Sequence, residues 1–238
     1  WLTARGICVK VNGMVAQNLE GIRQKIEAVC VKIGRNSGEI TLVVVSKGVS
    51  VELIKEAVNA GIANIGENRI QEATLKYRFL TPNTQHLTPI QWHMIGHLQT
   101  NKVKAAVKIF SLIQSVDSLR LAQAIDKEAR AIGKIQDIFV EVNTSGEQSK
   151  FGINPENAYQ LFAAVSELKN INLKGLMTIG PLSEDVEAIR GAFRNLRRIK
   201  EEIARKDFIL SMGMSSDYEI AIEEGANMIR LGRAIFAG

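Results

Sequence analysis

Short apolar runs alternate with longer amphipathic segments along almost the whole of this chain, the pattern of a parallel sheet whose strands are joined by helices. Leu19, Ile22, Ile26 and Val29 recur at helical spacing and predict an opening helix over Val15–Ile33. Strands are predicted at Ile40–Ser46, Asn64–Asn68, Ile90–Gly96, Ile109–Val116, Gln136–Asn143, Asn172–Gly180, Phe208–Gly213 and Ala226–Gly232. Between them, a helix over Val51–Ala60 is closed by Gly61. Asp117 or Ser118 caps another, Pro155 sits in the first turn of a third, and a long charged helix runs from about Glu184 to Lys206. Eight such units predict a (β/α)8 barrel with an extra N-terminal helix. An open doubly wound sheet is the alternative, but it rarely needs eight regular units, and no G-x-G-x-x-G follows the first strand. No low-complexity linker divides the 238 residues, so one domain over 1–238 is expected, with 1–14 an N-terminal extension, flexible or non-native, up to a natural start at Met14.

Composition narrows the function without naming it. At 46% hydrophobic and 23% charged the chain is an ordinary globular one. The net charge of +5 is scattered, with no Arg-rich arm and no interleaving of aromatic and basic residues, so an anionic small ligand suits it better than nucleic acid. No apolar run reaches membrane-spanning length, and the opening "WLTARGICVKVNGM" lacks the apolar core of a signal peptide. Cys8 and Cys30 make neither a disulfide framework nor a metal spacing, and a cytoplasmic setting is expected. His93 and His97 are four apart, but the third strand ends between them and no further ligand completes a metal site.

In such a barrel the chemistry sits at the C-terminal strand ends. The stretch "LVVVSKGVS" reads as a buried strand ending in Lys47. A lysine partly desolvated at the barrel mouth could attack an aldehyde; a lysine merely finishing the strand in solvent is the other reading. The stretch after strand seven, "SMGMSSD", and "RLGRA" after strand eight are glycine turns that lead into helices. They suit a phosphate, or are two ordinary turns with Ser216 or Asp217 as a cap. Arg230 lies between Ile229 and Leu231 in an apolar strand, where it needs an acceptor, either a ligand or a buried carboxylate such as Glu67. His93 lines the mouth or is a core histidine; His86 is a loop residue, Lys150 faces the mouth or, as favoured, solvent, and Met177 is core.

"VVSK", "GENRIQEA", "WHMIGHLQTNK", "SVDSLRLA", "VNTSGEQSKFGI", "GLMTIGP" and "LSMGMSSDYEIAIEEGANMIRLGRAIF" together resemble the pyridoxal phosphate homeostasis protein family, from about Leu42 to Phe236. The resemblance implies a barrel of fold type III, similar to the N-terminal barrel of alanine racemase, that binds pyridoxal 5′-phosphate (PLP). It implies that Lys47 forms the Schiff base. Ser215 and Ser216 would meet the phosphate hydroxyl to oxygen, and Gly232 and Arg233 through backbone N–H groups. Met212 and Gly213 share that loop, Arg230 approaches the ring or phosphate, and Asn68 and His93 lie near the cofactor face. The chain departs from the family in "SKGVS" after the lysine, in Arg233 where Ser or Thr is common, and in its "FAG" ending.

An arginine against the pyridine nitrogen would leave it unprotonated and the ring a weaker electron sink. Racemisation needs a base on each face of the substrate carbon. Racemase-like relatives take a tyrosine from a further domain, whereas Tyr77, Tyr159 and Tyr218 all fall in or at predicted helices. The expectation is a monomeric PLP carrier or regulator without robust catalysis, with PLP-dependent apo-enzymes as partners. A weak amino-acid racemase is the first rival and a barrel aldolase using Lys47 the second.

Overall fold

A computed structural model describes residues 13–80, 89–203 and 205–237. The expected extension up to residue 12, Cys8 and the loop residue His86 lie outside the described residues.

Eight parallel strands close into a barrel in chain order. They are β1 (Thr41–Val45), β2 (Asn64–Glu67), β3 (Gln91–Met94), β4 (Leu112–Val116), β5 (Gln136–Glu141), β6 (Ile171–Met177), β7 (Ile209–Ser211) and β8 (Met228–Leu231). Every predicted strand is present; all but β4, which ends at Val116 as predicted, stop earlier than their predicted spans because the last residues turn out into the loops that carry the polar strand ends. The opening helix is α1 (Met14–Lys32). Around the barrel follow α2 (Val51–Asn59), α3 (Ile70–Leu80), α4 (Val103–Ile109), α5 (Leu119–Ala131), α6 (Ala158–Ser166), α7 (Val186–Glu202), α8 (Tyr218–Glu223) and α9 (Arg233–Phe236). The Ser118 hydroxyl caps α5, and Pro155 opens a short 3₁₀ turn ahead of α6.

Pleat alternation sorts the side chains. Val43, Leu112, Phe139, Met177 and Met228 form a separate apolar cluster contributed by five strands, which is the barrel interior. Val44, Ile65, Ile113, Ile138, Leu176, Leu210 and Ile229 belong to the larger cluster shared with the helices. Closure comes from β1 pairing with β8, Thr41 opposite Met228 and Val43 opposite Arg230. The extra helix α1 packs against α2, α8 and α9, and its Asn18 amide donates to Ile235 O at 3.0 Å. It therefore buttresses the seam where the two ends of the barrel meet. Among the described residues no helix is long and apolar enough to cross a membrane, and no cluster of His, Cys, Asp and Glu could hold a metal ion.

Candidate functional site

Lys47 stands two residues beyond β1. The β1–β2 ladder gains one more bond, Ser46 N–H to Gly66 O at 3.0 Å, and the chain then turns through Gly48 at φ +69°. Lys47 is exposed, and no described residue bonds its Nζ. The expectation of a partly desolvated lysine is thus corrected: β1 stops at Val45, and the turn lifts Lys47 above the packed rim.

The loops after β7 and β8 meet beside it. Gly213 adopts φ +95°, and its carbonyl accepts from Arg230 N at 3.0 Å, joining that loop to β8. Ser215 Oγ accepts from Ala234 N at 3.3 Å, which ties the β7–α8 loop to the first turn of α9. Gly232 packs so closely on β1 that a Cβ there would lie 3.1 Å from Val45 O. A hydroxyl, the opening N–H groups of α9 and a glycine backbone thus converge next to the end of β1. Ser216 and Arg233 are exposed in the same loops. Met212 follows inward-facing Ser211, so its side chain points outward and is fully buried in the cluster shared with the helices, leaving only its backbone to the loop.

Beneath the mouth a chain of hydrogen bonds crosses the interior. Arg230 Nη1 donates to Ser211 Oγ at 2.7 Å, Ser211 Oγ to Gln114 Oε1 at 2.6 Å, and Gln114 Nε2 to His93 Nδ1 at 2.9 Å. Because an amide nitrogen only donates, His93 Nδ1 is the acceptor, and its Nε2–H donates to Asn64 Oδ1 at 3.0 Å. Arg230 Nη2 donates to Thr178 O at 2.7 Å. The expected alternative partner for Arg230 is therefore corrected. Glu67 follows inward-facing Gly66, so it points outward to α3, where Lys76 meets it at 2.6 Å. Burial pushes Arg230 down to about 10, opposed by the charges of Glu141 and Asp217, and it stays a cation at neutral pH. Burial pulls His93 down to about 4, so the imidazole is neutral. His93 is a core histidine one layer below the lysine, level with Gly66 in the β2–β3 register, rather than a residue of the rim. Met177 lies in the interior cluster, as expected.

Glu141 also faces inward, two residues after Phe139. Burial and then the charge of Asp117 push its carboxyl up to about 7, against the pull of Arg230. Burial likewise raises Asp217, opposed by its bond from Met214 N and by Arg230. Lys150, expected in solvent, is tied down instead: its Nζ donates to Gly180 O at 2.6 Å and Glu147 Oε1 at 2.7 Å, because the β5 and β6 loops fold together. Asn68 sits at the end of β2 against Gly96, where a Cβ would lie 2.5 Å from Asn68 O. Its Oδ1 is buried without a partner among the described residues, and it borders a cavity of about 530 Å³ that also reaches Arg69, Glu72, His97 and Lys102.

The site thus brings Lys47, Gly213, Ser215, Ser216, Gly232 and Arg233 to the mouth and leaves Arg230 and His93 beneath it. Ser211 and Thr178 stand at strand ends where the chemistry is expected, whereas Gln114, Glu141 and Lys76 went unnoticed in the sequence. A polar residue amid an apolar strand, as in "LIQSV", was the available signal for Gln114.

The sequence profile described as "Alanine racemase, N-terminal domain" matches residues 17–238. The "Pyridoxal phosphate homeostasis protein" of Aquifex aeolicus is 41% identical over 224 residues, covering 92% of this chain and 96% of the relative. PipY of Synechococcus elongatus, solved with PLP bound, superposes with a TM-score of 0.80 at 30% identity, covering 94% of this chain and 100% of PipY. An alanine racemase from Clostridium difficile shares the fold alone, with a TM-score of 0.74 at 18% identity, over 93% of this chain and 57% of the racemase. Profile and full-length relatives agree with the barrel and its motifs: this chain belongs to the pyridoxal phosphate homeostasis protein family, built on the N-terminal barrel of alanine racemase.

Proposed function

We propose that this protein holds PLP reversibly on Lys47 and serves PLP homeostasis as a carrier without robust catalysis. The observation that carries the reading is an exposed Lys47 Nζ with no partner among the described residues, beside two loops that touch through Ser215 and Ala234. The residues present fit the cofactor. Ser215, Ser216 and the backbone of Gly232 and Arg233 would take the phosphate, since short hydroxyls, N–H groups and a glycine that lets backbone approach are a donor set for an anion. Asn68, with its orphaned Oδ1, would face the bound group, and Arg230 would set a fixed positive charge beneath it. When bound, PLP supplies an aldehyde that condenses with an amine, with release of one water and reversal by hydrolysis. Lys47 provides that amine, and the phosphate loops hold the ligand while the bond forms.

The placement of the tyrosines favours a carrier over a racemase. Tyr77 packs edge-on to Trp92, and Tyr159 bonds Glu202 on the outer helices. Tyr218 opens α8, and burial pushes it up to about 12, out of range for a base at neutral pH. PLP-dependent apo-enzymes are the proposed recipients, and the cytoplasm the proposed setting.

The test is borohydride reduction of the protein with PLP, followed by peptide mapping. The pyridoxyl mass should fall on Lys47 and vanish in Lys47→Ala. Labelling spread over other lysines and unchanged in the variant would overturn the reading.

A further inference from the structure

The turn that presents Lys47 is gripped from outside the barrel. Lys76, on α3, points its Nζ at Ser46 O and at Glu67 Oε1, 2.6 Å from each. Ser46 Oγ donates to the same Glu67 Oε1 at 2.5 Å. On the other side of Lys47, Gly48 N–H donates to Glu72 Oε2 at 3.0 Å, and Glu72 lies one helical turn from Lys76, 3.4 Å from its Nζ. The residues before and after Lys47 are thus both bonded to α3, while the Lys47 side chain itself is bonded to nothing described. Glu67 is fully buried and Lys76 nearly so. An ion pair so placed costs desolvation that a pair of apolar side chains would avoid, so stability alone does not account for it.

We propose that Lys76 and Glu72 are positioning residues for Lys47: with Glu67 as the counter-charge, they clamp the Ser46–Gly48 backbone so that the Lys47 amine is presented to the aldehyde of a ligand seated by the phosphate loops. This inference rests on the proposed bond between Lys47 and PLP. Neither residue touches the ligand; both act through the two peptide groups that flank the lysine. Holding the amine against the aldehyde supplies the effective molarity on which the covalent bond draws, so a loosened turn weakens the covalent part of binding and spares the rest.

Two ligands separate these parts. PLP reports aldehyde bonding and phosphate recognition together, whereas pyridoxine 5′-phosphate, with an alcohol in place of the aldehyde, reports phosphate and ring alone. Lys76→Met and Glu72→Ala should lower PLP affinity by about tenfold or more and leave pyridoxine 5′-phosphate affinity within about twofold. Glu72→Gln, which keeps an oxygen for Gly48 N–H, should restore PLP binding to near the wild-type value. Equal loss for both ligands in the variants, or no loss for either, would overturn the clamp. If Lys47→Ala leaves wild-type PLP affinity unchanged, it is the parent reading that fails instead. Far-UV circular dichroism and urea midpoints on each variant identify any that does not fold, and Glu72→Ala, at a half-exposed position, serves where Lys76→Met fails.

Discussion

His93 and Glu141 are buried inside one barrel, and burial acts on them with opposite sign. The His93 imidazole sits at about 4 in the native state against an ordinary 6.5. Between those values the unfolded chain takes a proton that the native chain refuses, so stability is lost as pH falls from 6.5 towards 4, by about 3 kcal/mol in all. Glu141 sits at about 7 against an ordinary 4.5, so the native carboxyl keeps a proton that the unfolded one releases, and stability is lost as pH rises from 4.5 through 7. The two slopes oppose. Urea unfolding across about pH 4 to 8 should show stability in Glu141→Gln that climbs with pH and stays level at the alkaline end. His93→Gln should show only the decline from about pH 4.5 through 7. Parallel curves for the wild type and both variants would show that neither group carries this linkage. Single residues were unevenly legible. Lys47, Ser215 and Gly232 stand at strand ends where a barrel keeps its chemistry. The partner of Arg230 was missed because it depends on which way each side chain of β2 points, and a one-residue shift reverses that.

Among the elements, the loop between β7 and α8 is held by its backbone. Gly213 has φ +95°, and a Cβ there would lie 2.6 Å from Ala221 Cβ. Gly34 shares the left-handed region at φ +69° but faces open space. Gly34→Ala should cost about 1 kcal/mol and Gly213→Ala about 2 kcal/mol or more, read from urea midpoints, the difference being the steric contact. Equal costs would mean that α8 yields freely. Strands and helices were the most legible level, because continuous apolar runs of β-branched residues such as "LVVV" bounded by glycine or a cap leave little choice. What could not be read was the stitching between loops. The bond from Lys150 to Gly180 O joins positions thirty residues apart, and nothing in the local pattern of "EQSKFG" announces it.

For the whole molecule, a ligand that binds only the folded barrel must stabilise all of it. At a hundred times its Kd, PLP should add about 2.7 kcal/mol, which for a chain of this size is a rise in Tm of about 5–10 °C. Lys47→Ala should show a clearly smaller rise at the same PLP concentration. An equal rise in both would place the binding energy elsewhere. The barrel itself followed from counting eight alternations, more regular units than an open sheet usually needs, with no G-x-G-x-x-G after the first strand. The polar thread through its centre did not follow, because it joins β8, β7, β4, β3 and β2 across the sequence.

That thread has a direction. From Arg230 through Ser211, Gln114 and His93 to Asn64, every link gives its hydrogen onward and none gives one back. Arg230 sets that direction, because its guanidinium can only donate. A side chain that can only donate, placed at any of the later positions, would meet a donor on its Arg230 side and break the thread at that link.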